Sequence, residues 1–259
     1  MDITTIFGIS LAVGGMIVGI LEEGGNLLAY VGVSAFIIIA CGTVGAVITS
    51  FPLSTLSKAP RLLIIAFTEQ KYDITKTINM LVGFSEKARR EGILSLEVEL
   101  TNINDPFLKQ GVQLIVDGTE PALVRDILET KITTIEERHH SGAGIFEAAG
   151  GFAPTMGIIG TVLGLINVLS NISDAASLAA SIALAFIATL YGVFSANVIW
   201  IPIGTKLKNK SKKEVLVKSI IVEGVLSIES GDNPRIVAQK LISFLSQSEA
   251  KNVNVSSGK

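Results

Sequence analysis

The sequence predicts an all-α integral membrane protein: four transmembrane helices, a large helical cytoplasmic loop between spans 2 and 3, and a cytoplasmic helical tail. Three observations lead there. Hydrophobic residues make up 49% of the 259 residues and charged residues only 17%, where a soluble domain carries about a quarter. All 21 lysines and arginines fall in residues 52–141 or from Gly204 onward, so residues 1–51 and 142–203 hold none. Those empty stretches contain four apolar runs, 3–21, 27–51, 148–172 and 178–203. A helix of about 20 residues crosses a ~30 Å hydrocarbon core.

Charge also sets the expected orientation. The short loops 22–26 and 173–177 lack basic residues and carry Glu22, Glu23 and Asp174, so they are expected outside, with both termini and the basic blocks inside. The first run has neither a basic leader nor a small-residue cleavage site, which reads as an anchor rather than a removed signal. The expected division is 1–51 for spans 1 and 2, 52–142 for a cytoplasmic helical domain, 143–204 for spans 3 and 4, and 205–259 for a helical tail with a disordered end.

Within the long loop, Asp73 is placed to cap a helix over 75–90 and Gly92 to interrupt it. Leu94, Leu96, Val98 and Leu100 alternate, a pattern open to helix or strand. Asp105-Pro106 starts a further helix that ends near Asp117-Gly118, and Glu120-Pro121 opens a long one heading toward span 3. His139 and His140 are adjacent, point to different helix faces and read as a polar interfacial turn rather than a metal site. After Pro202, the basic run GTKLKNKSKK is a topology signal beside anionic lipid. Helices are expected over 214–229 and 234–245, then a disordered tail, SEAKNVNVSSGK. Cys41, the single cysteine, lies mid-run and reads as packing.

The third run holds glycine, proline and threonine where a water-exposed helix would tolerate them poorly. Pro154, Gly157, Thr161 and Gly164 are spaced 3, 4 and 3 apart and share one helical face. In the fourth run Ala185, Ala188, Thr189, Gly192 and Ala196 form a matching small stripe. Hydrocarbon offers no hydrophobic drive between helices, so small residues let backbones approach and gain dispersion contacts. Thr161 and Thr189 each lie about 20 Å from the cytoplasmic end of their runs at 1.5 Å per residue, which makes them level.

Ion pathways through membranes normally use an intramembrane carboxylate or histidine. None lies in these runs: Glu147, the charged candidate, sits just before the third, at its mouth. A chain lining such a path would need its titrating group from another chain. There is no P-loop, nucleophile–base pair or metal cluster, so neither an enzyme nor a nucleic-acid binder is expected, and no cofactor.

The segments ARREGILSLE in the loop, GGFAPTMGIIGTVLGL in span 3 and ATLYGVFSANVIWIP in span 4 resemble the MotA/PomA flagellar stator proteins across nearly the whole chain. The related TolQ and ExbB energisers have three spans in total. The resemblance implies a place in a bacterial plasma membrane. It implies that Pro154, Thr161 and Thr189 lie on the ion pathway, that Pro154 and Pro202 also couple gating to torque, and that Arg89, Arg90 and Glu97 face the rotor. On residues alone, those three charges read as a solvated helix surface. It further implies a homopentamer around a MotB-like single-span partner that supplies the channel aspartate, and a rotor protein, FliG, on which torque acts. The expected ion is the proton. Threonine at both pathway positions is the sodium-type pattern, so sodium stands as the alternative.

Overall fold

The computed structural model describes residues 2–69, 72–170, 175–246 and 250. In order these form α1 (Ile3–Glu22), a 3-10 turn (Leu27–Tyr30), α2 (Val33–Ser50), α3 (Leu53–Leu56), α4 (Ala59–Phe67) and α5 (Ile74–Glu91). A 3-10 helix (Ile93–Thr101), α6 (Pro106–Val116), α7 (Pro121–Ser170) and α8 (Ala175–Ser195) follow. A π-helical turn (Ala196–Trp200), α9 (Ile201–Glu229) and α10 (Pro234–Ile242) complete the order. No strand occurs among the described residues, and four helical stretches are long and apolar enough to cross a membrane. The all-α, four-span expectation holds. The chain divides into two compact units, Met1–Glu69 with His139–Asn209, and Gln70–Arg138 with Lys210–Lys259.

In the first, membrane unit, α1 buries none of its residues. A helix apolar on every side is suited to hydrocarbon and not to water. Residues 27–51, read as one span, divide in two: the chain leaves the 3-10 turn at Val31 and re-enters a helix after Gly32, both in extended conformation. The break is held by Tyr191, whose hydroxyl accepts the Gly32 N–H at 3.2 Å and donates to the Tyr30 carbonyl at 2.7 Å. Backbone groups freed inside a bilayer have no water to turn to, so a side chain must serve them. The sequence reading leaves α3 and α4 unassigned. Ala66 of α4 is fully buried and clusters with Val47, Ala143, Phe146 and Ile203. The Asp2 N–H reaches the Phe67 carbonyl at 2.8 Å.

The second, polar unit forms where its caps are placed. Asp73 accepts the Lys76 N–H at 2.9 Å, and Asp105 accepts those of Phe107 and Leu108 at 2.7 and 3.0 Å. Gly92 ends α5 at φ +85°, a left-handed conformation that other residues resist. The alternating leucines form the 3-10 helix, with Leu96 and Leu100 buried and Leu94 and Val98 exposed. Ile78, Leu81, Leu96, Val112, Leu128, Ile220, Val225 and Leu241 are buried in one core, each side chain worth roughly 1.5–3 kcal/mol. Glycines set the spacing: a Cβ on Gly224 would come within 2.7 Å of Leu81, and one on Gly111 within 3.0 Å of Val225.

Two expectations are corrected. His139 and His140 form no turn; both lie inside α7, because no glycine or proline separates them from the helix opened at Pro121. The run GTKLKNKSKK does not precede a separate helix at 214 but is itself helical within α9, lysine being a good helix former. Residues 171–174, the end of the expected third run and the start of the expected outer loop, lie outside the described residues, while 175–177 of that loop are helical in α8. The expected disordered tail also lies outside them apart from Ala250.

Candidate functional site

The two small-residue stripes meet. A Cβ on Gly157 would stand 3.0 Å from the Ala188 carbonyl oxygen, on Gly160 2.8 Å from the Ala188 Cβ, and on Gly164 2.9 Å from the Ala185 Cβ. The reverse contact is tighter: a Cβ on Gly192 would lie 2.5 Å from the Ala153 carbonyl oxygen and 3.0 Å from the Gly157 Cα. Backbone therefore touches backbone along α7 and α8, the geometry by which small residues bind helices in lipid.

On this seam the hydroxyls of Thr161 and Thr189 lie 2.5 Å apart. The Thr161 hydroxyl also lies 3.0 Å from the Gly157 carbonyl of its own helix and 3.0 Å from the Ala185 carbonyl of the other. Each hydroxyl carries one proton, and carbonyls only accept. Thr161 has one proton for two carbonyls and the Thr189 oxygen; when it goes to a carbonyl, Thr189 is the donor of the pair. In that arrangement the lone pairs of the Thr189 oxygen have no protein donor among the described residues. Contacts within one helix and across two helices occur together at the Thr161 hydroxyl.

Pro154 lies inside α7. Its ring supplies no N–H, so the Gly150 carbonyl loses its helical donor. Space beside Gly150 is filled by Ile201, 2.5 Å from where a Cβ would be. Pro202 follows the π-helical turn, in which the Ile201 N–H bonds five residues back to the Ala196 carbonyl. The wider turn takes up the register that a proline ring disrupts, and such bulges recur at functional sites. Glu147, at the mouth of the third run, is paired with Lys208 at 2.7 Å. Lys206 is paired with Asp2 at 2.6 Å.

In the polar unit, Arg89 and Arg90 are exposed in the last turn of α5, and Glu97 is exposed on the 3-10 helix. Lys87 and Glu99 are joined at 2.6 Å, and that lysine holds the Glu99 carboxyl below its usual range. Arg89, Arg90 and Glu97 make no ion pair among the described residues.

Sequence reasoning missed Tyr191 and the π-helical turn. A tyrosine deep in an apolar run was the available signal, since its hydroxyl needs a partner there. It also missed Thr43, a buried hydroxyl on α2 without a partner among the described residues.

Four apolar spans, two of them packed along a close glycine seam, define a multi-pass membrane protein. A model of the MotA/TolQ/ExbB proton channel family matches residues 99–219. Motility protein A of Bacillus subtilis (strain 168) is 40% identical over 246 residues, 95% of this chain and 91% of that one. Motility protein A of Borreliella burgdorferi is 38% identical over 258 residues, 100% and 99% of the two chains. The structure of the flagellar MotAB stator complex from Bacillus subtilis superposes with a TM-score of 0.91 at 38% identity, covering 98% of this chain and 100% of that one. The chain belongs to the MotA/TolQ/ExbB proton channel family.

Proposed function

We propose that this chain is a flagellar motor stator subunit that forms an ion channel with a MotB-like partner and turns ion flow into torque on the rotor. One observation carries the reading: a level pair of threonine hydroxyls lies on a close-packed helix seam whose runs hold no deep carboxylate. A path of this kind needs a titrating group from outside, and a single-span partner with an aspartate supplies it. Several copies of the chain, five in this reading, surround that partner in the bacterial plasma membrane with both termini cytoplasmic.

The residues divide the work. Thr161 and Thr189 form a polar constriction at which a protonated or ion-loaded carboxylate finds hydroxyl partners. Pro154 and Pro202 interrupt the regular backbone bonding of α7 and of the helix after α8, so changes at the constriction can bend the helices rather than break them. Arg89, Arg90 and Glu97 meet the rotor protein FliG; exposed charges orient an encounter without binding tightly, which suits repeated engagement.

Protons are the conducted ion in this reading. The hydroxyl pair supports sodium as a second reading, because a desolvated sodium ion needs several oxygens. The test is reconstitution. The chain alone in liposomes should pass no ions, and the chain with the partner, freed of its plug, should pass protons. Robust flux from the chain alone would sink the proposal.

A further inference from the structure

We propose that Leu94 and Val98 form the apolar centre of the rotor-contact surface, seating a helix of the rotor protein that carries an apolar stripe between acidic and basic side chains. The inference rests on the reading of Arg89, Arg90 and Glu97 as rotor-facing.

The polar unit has an ample core of its own, in which Leu81, Leu96, Val112 and Ile220 are fully buried. Leu94 and Val98 depart from that pattern. Each is 71% exposed, more than any other large apolar side chain described in this unit. Local geometry keeps them there. Leu96 and Leu100 of the same segment are buried and anchor it on the core, so turning it to hide Leu94 and Val98 would pull those two out.

The charges that flank them in sequence identify the occupant. Gly92, at φ +85°, makes the corner between α5 and the 3-10 helix, with Arg89 and Arg90 before it and Leu94, Glu97 and Val98 after it. Lys87 and Glu99 neutralise one another at 2.6 Å, while Arg89, Arg90 and Glu97 make no ion pair among the described residues. A binding surface with an apolar centre and a charged rim divides its labour: the rim sets approach and register, and the desolvated centre supplies adhesion. The matching surface has carboxylates opposite the arginines, a cation opposite Glu97 and apolar side chains between. Two aliphatic side chains are a small centre, which keeps each engagement brief.

The test uses the full stator complex in motile cells. Leu94→Ser with Val98→Ser should lower stall torque at least twofold, with ordinary membrane levels and partner co-purification. A photoreactive benzoylphenylalanine at position 94 or 98 should cross-link to FliG in turning motors. Arg89→Ala with Glu97→Ala, measured alongside, separates this inference from the reading beneath it. If the charge variant loses torque while the serine variant keeps it and neither position yields a FliG adduct, the apolar centre is wrong and the rotor surface stands. If neither variant loses torque, both fall. Torque lost by the serine variant without an adduct at either position also overturns the inference, because the side chains would then act through folding.

Discussion

The hydroxyl of Thr189 lies 2.5 Å from that of Thr161, and the two are not equivalent. With the Thr161 proton on one of the carbonyls of α7 and α8 at 3.0 Å, Thr189 is the donor of the pair and its oxygen keeps its lone pairs for something else. Removing the second hydroxyl should therefore cost more than removing the first. Thr189→Ala is expected to lower ion flux at least tenfold, and Thr161→Ala by a smaller factor. Swimming speed at constant pH and ionic strength should not change as sodium is replaced by potassium. A collapse of speed in potassium that Thr161→Ala alters would assign the hydroxyl pair to sodium selection.

Gly192 is the tightest point of the seam, because a Cβ there would press on the backbone of Ala153 and Gly157. Backbone cannot rotate aside as a side chain can. Gly192→Ala should destabilise the solubilised protein by about 1–3 kcal/mol, the usual range for overpacking. Gly83 is the control: it is exposed within α5 and has nothing within 4 Å of its missing Cβ. Gly83→Ala should stabilise by roughly 0.5–1 kcal/mol, through helix propensity alone. Thermal melting of both variants checks the pair.

Tyr191 bonds both backbone groups exposed by the break before α2. Tyr191→Phe keeps the ring and strands the Gly32 N–H and the Tyr30 carbonyl, at a cost of about 1–3 kcal/mol. Hydrogen exchange at Gly32 should accelerate well before global unfolding. Unchanged exchange there would mean that the break is held by packing alone.

The two prolines should separate assembly from turning. Pro154→Ala and Pro202→Ala each restore a backbone donor and stiffen their helices. Both variants should reach the membrane and co-purify with the partner while stall torque falls. A variant that fails to assemble would show its proline to be structural.

Glu229 ends α9 with one carboxylate oxygen buried and without a partner among the described residues. Burial raises its pKa above the ordinary value of 4.5, so the native state holds this proton to higher pH than the unfolded chain does. Stability then falls as pH rises through the window from 4.5 to the raised value, and the penalty is complete above it. Glu229→Gln should be more stable than the wild type near pH 8, with the difference vanishing near about pH 4. Melting curves at the two pH values test the sign.

Much of this architecture follows from the chain read as text. Four uncharged apolar runs define the spans, Asp73 and Asp105 announce the helices they cap, and the 3-4-3 spacing from Pro154 to Gly164 predicts the face on which α7 meets α8. These are local or periodic signals, carried by residues a few positions apart. The missing deep carboxylate is equally legible, since an absence in sequence is an absence in space.

Contacts over long separations are another matter. Tyr191 reaches a backbone break about 160 residues earlier, and nothing near residues 30–32 marks that break before the tyrosine arrives. The sense of the threonine pair depends on two carbonyls that no spacing rule locates. The exposure of Leu94 and Val98 was undecided while their segment could be helix or strand; only packing against the core turned Leu96 and Leu100 inward and left the other two outside. Sequence determines which groups a segment must bury or satisfy, because solvent and backbone geometry act on every residue alike. Tertiary structure alone decides which distant group answers, because that choice depends on where two parts of the chain come to lie.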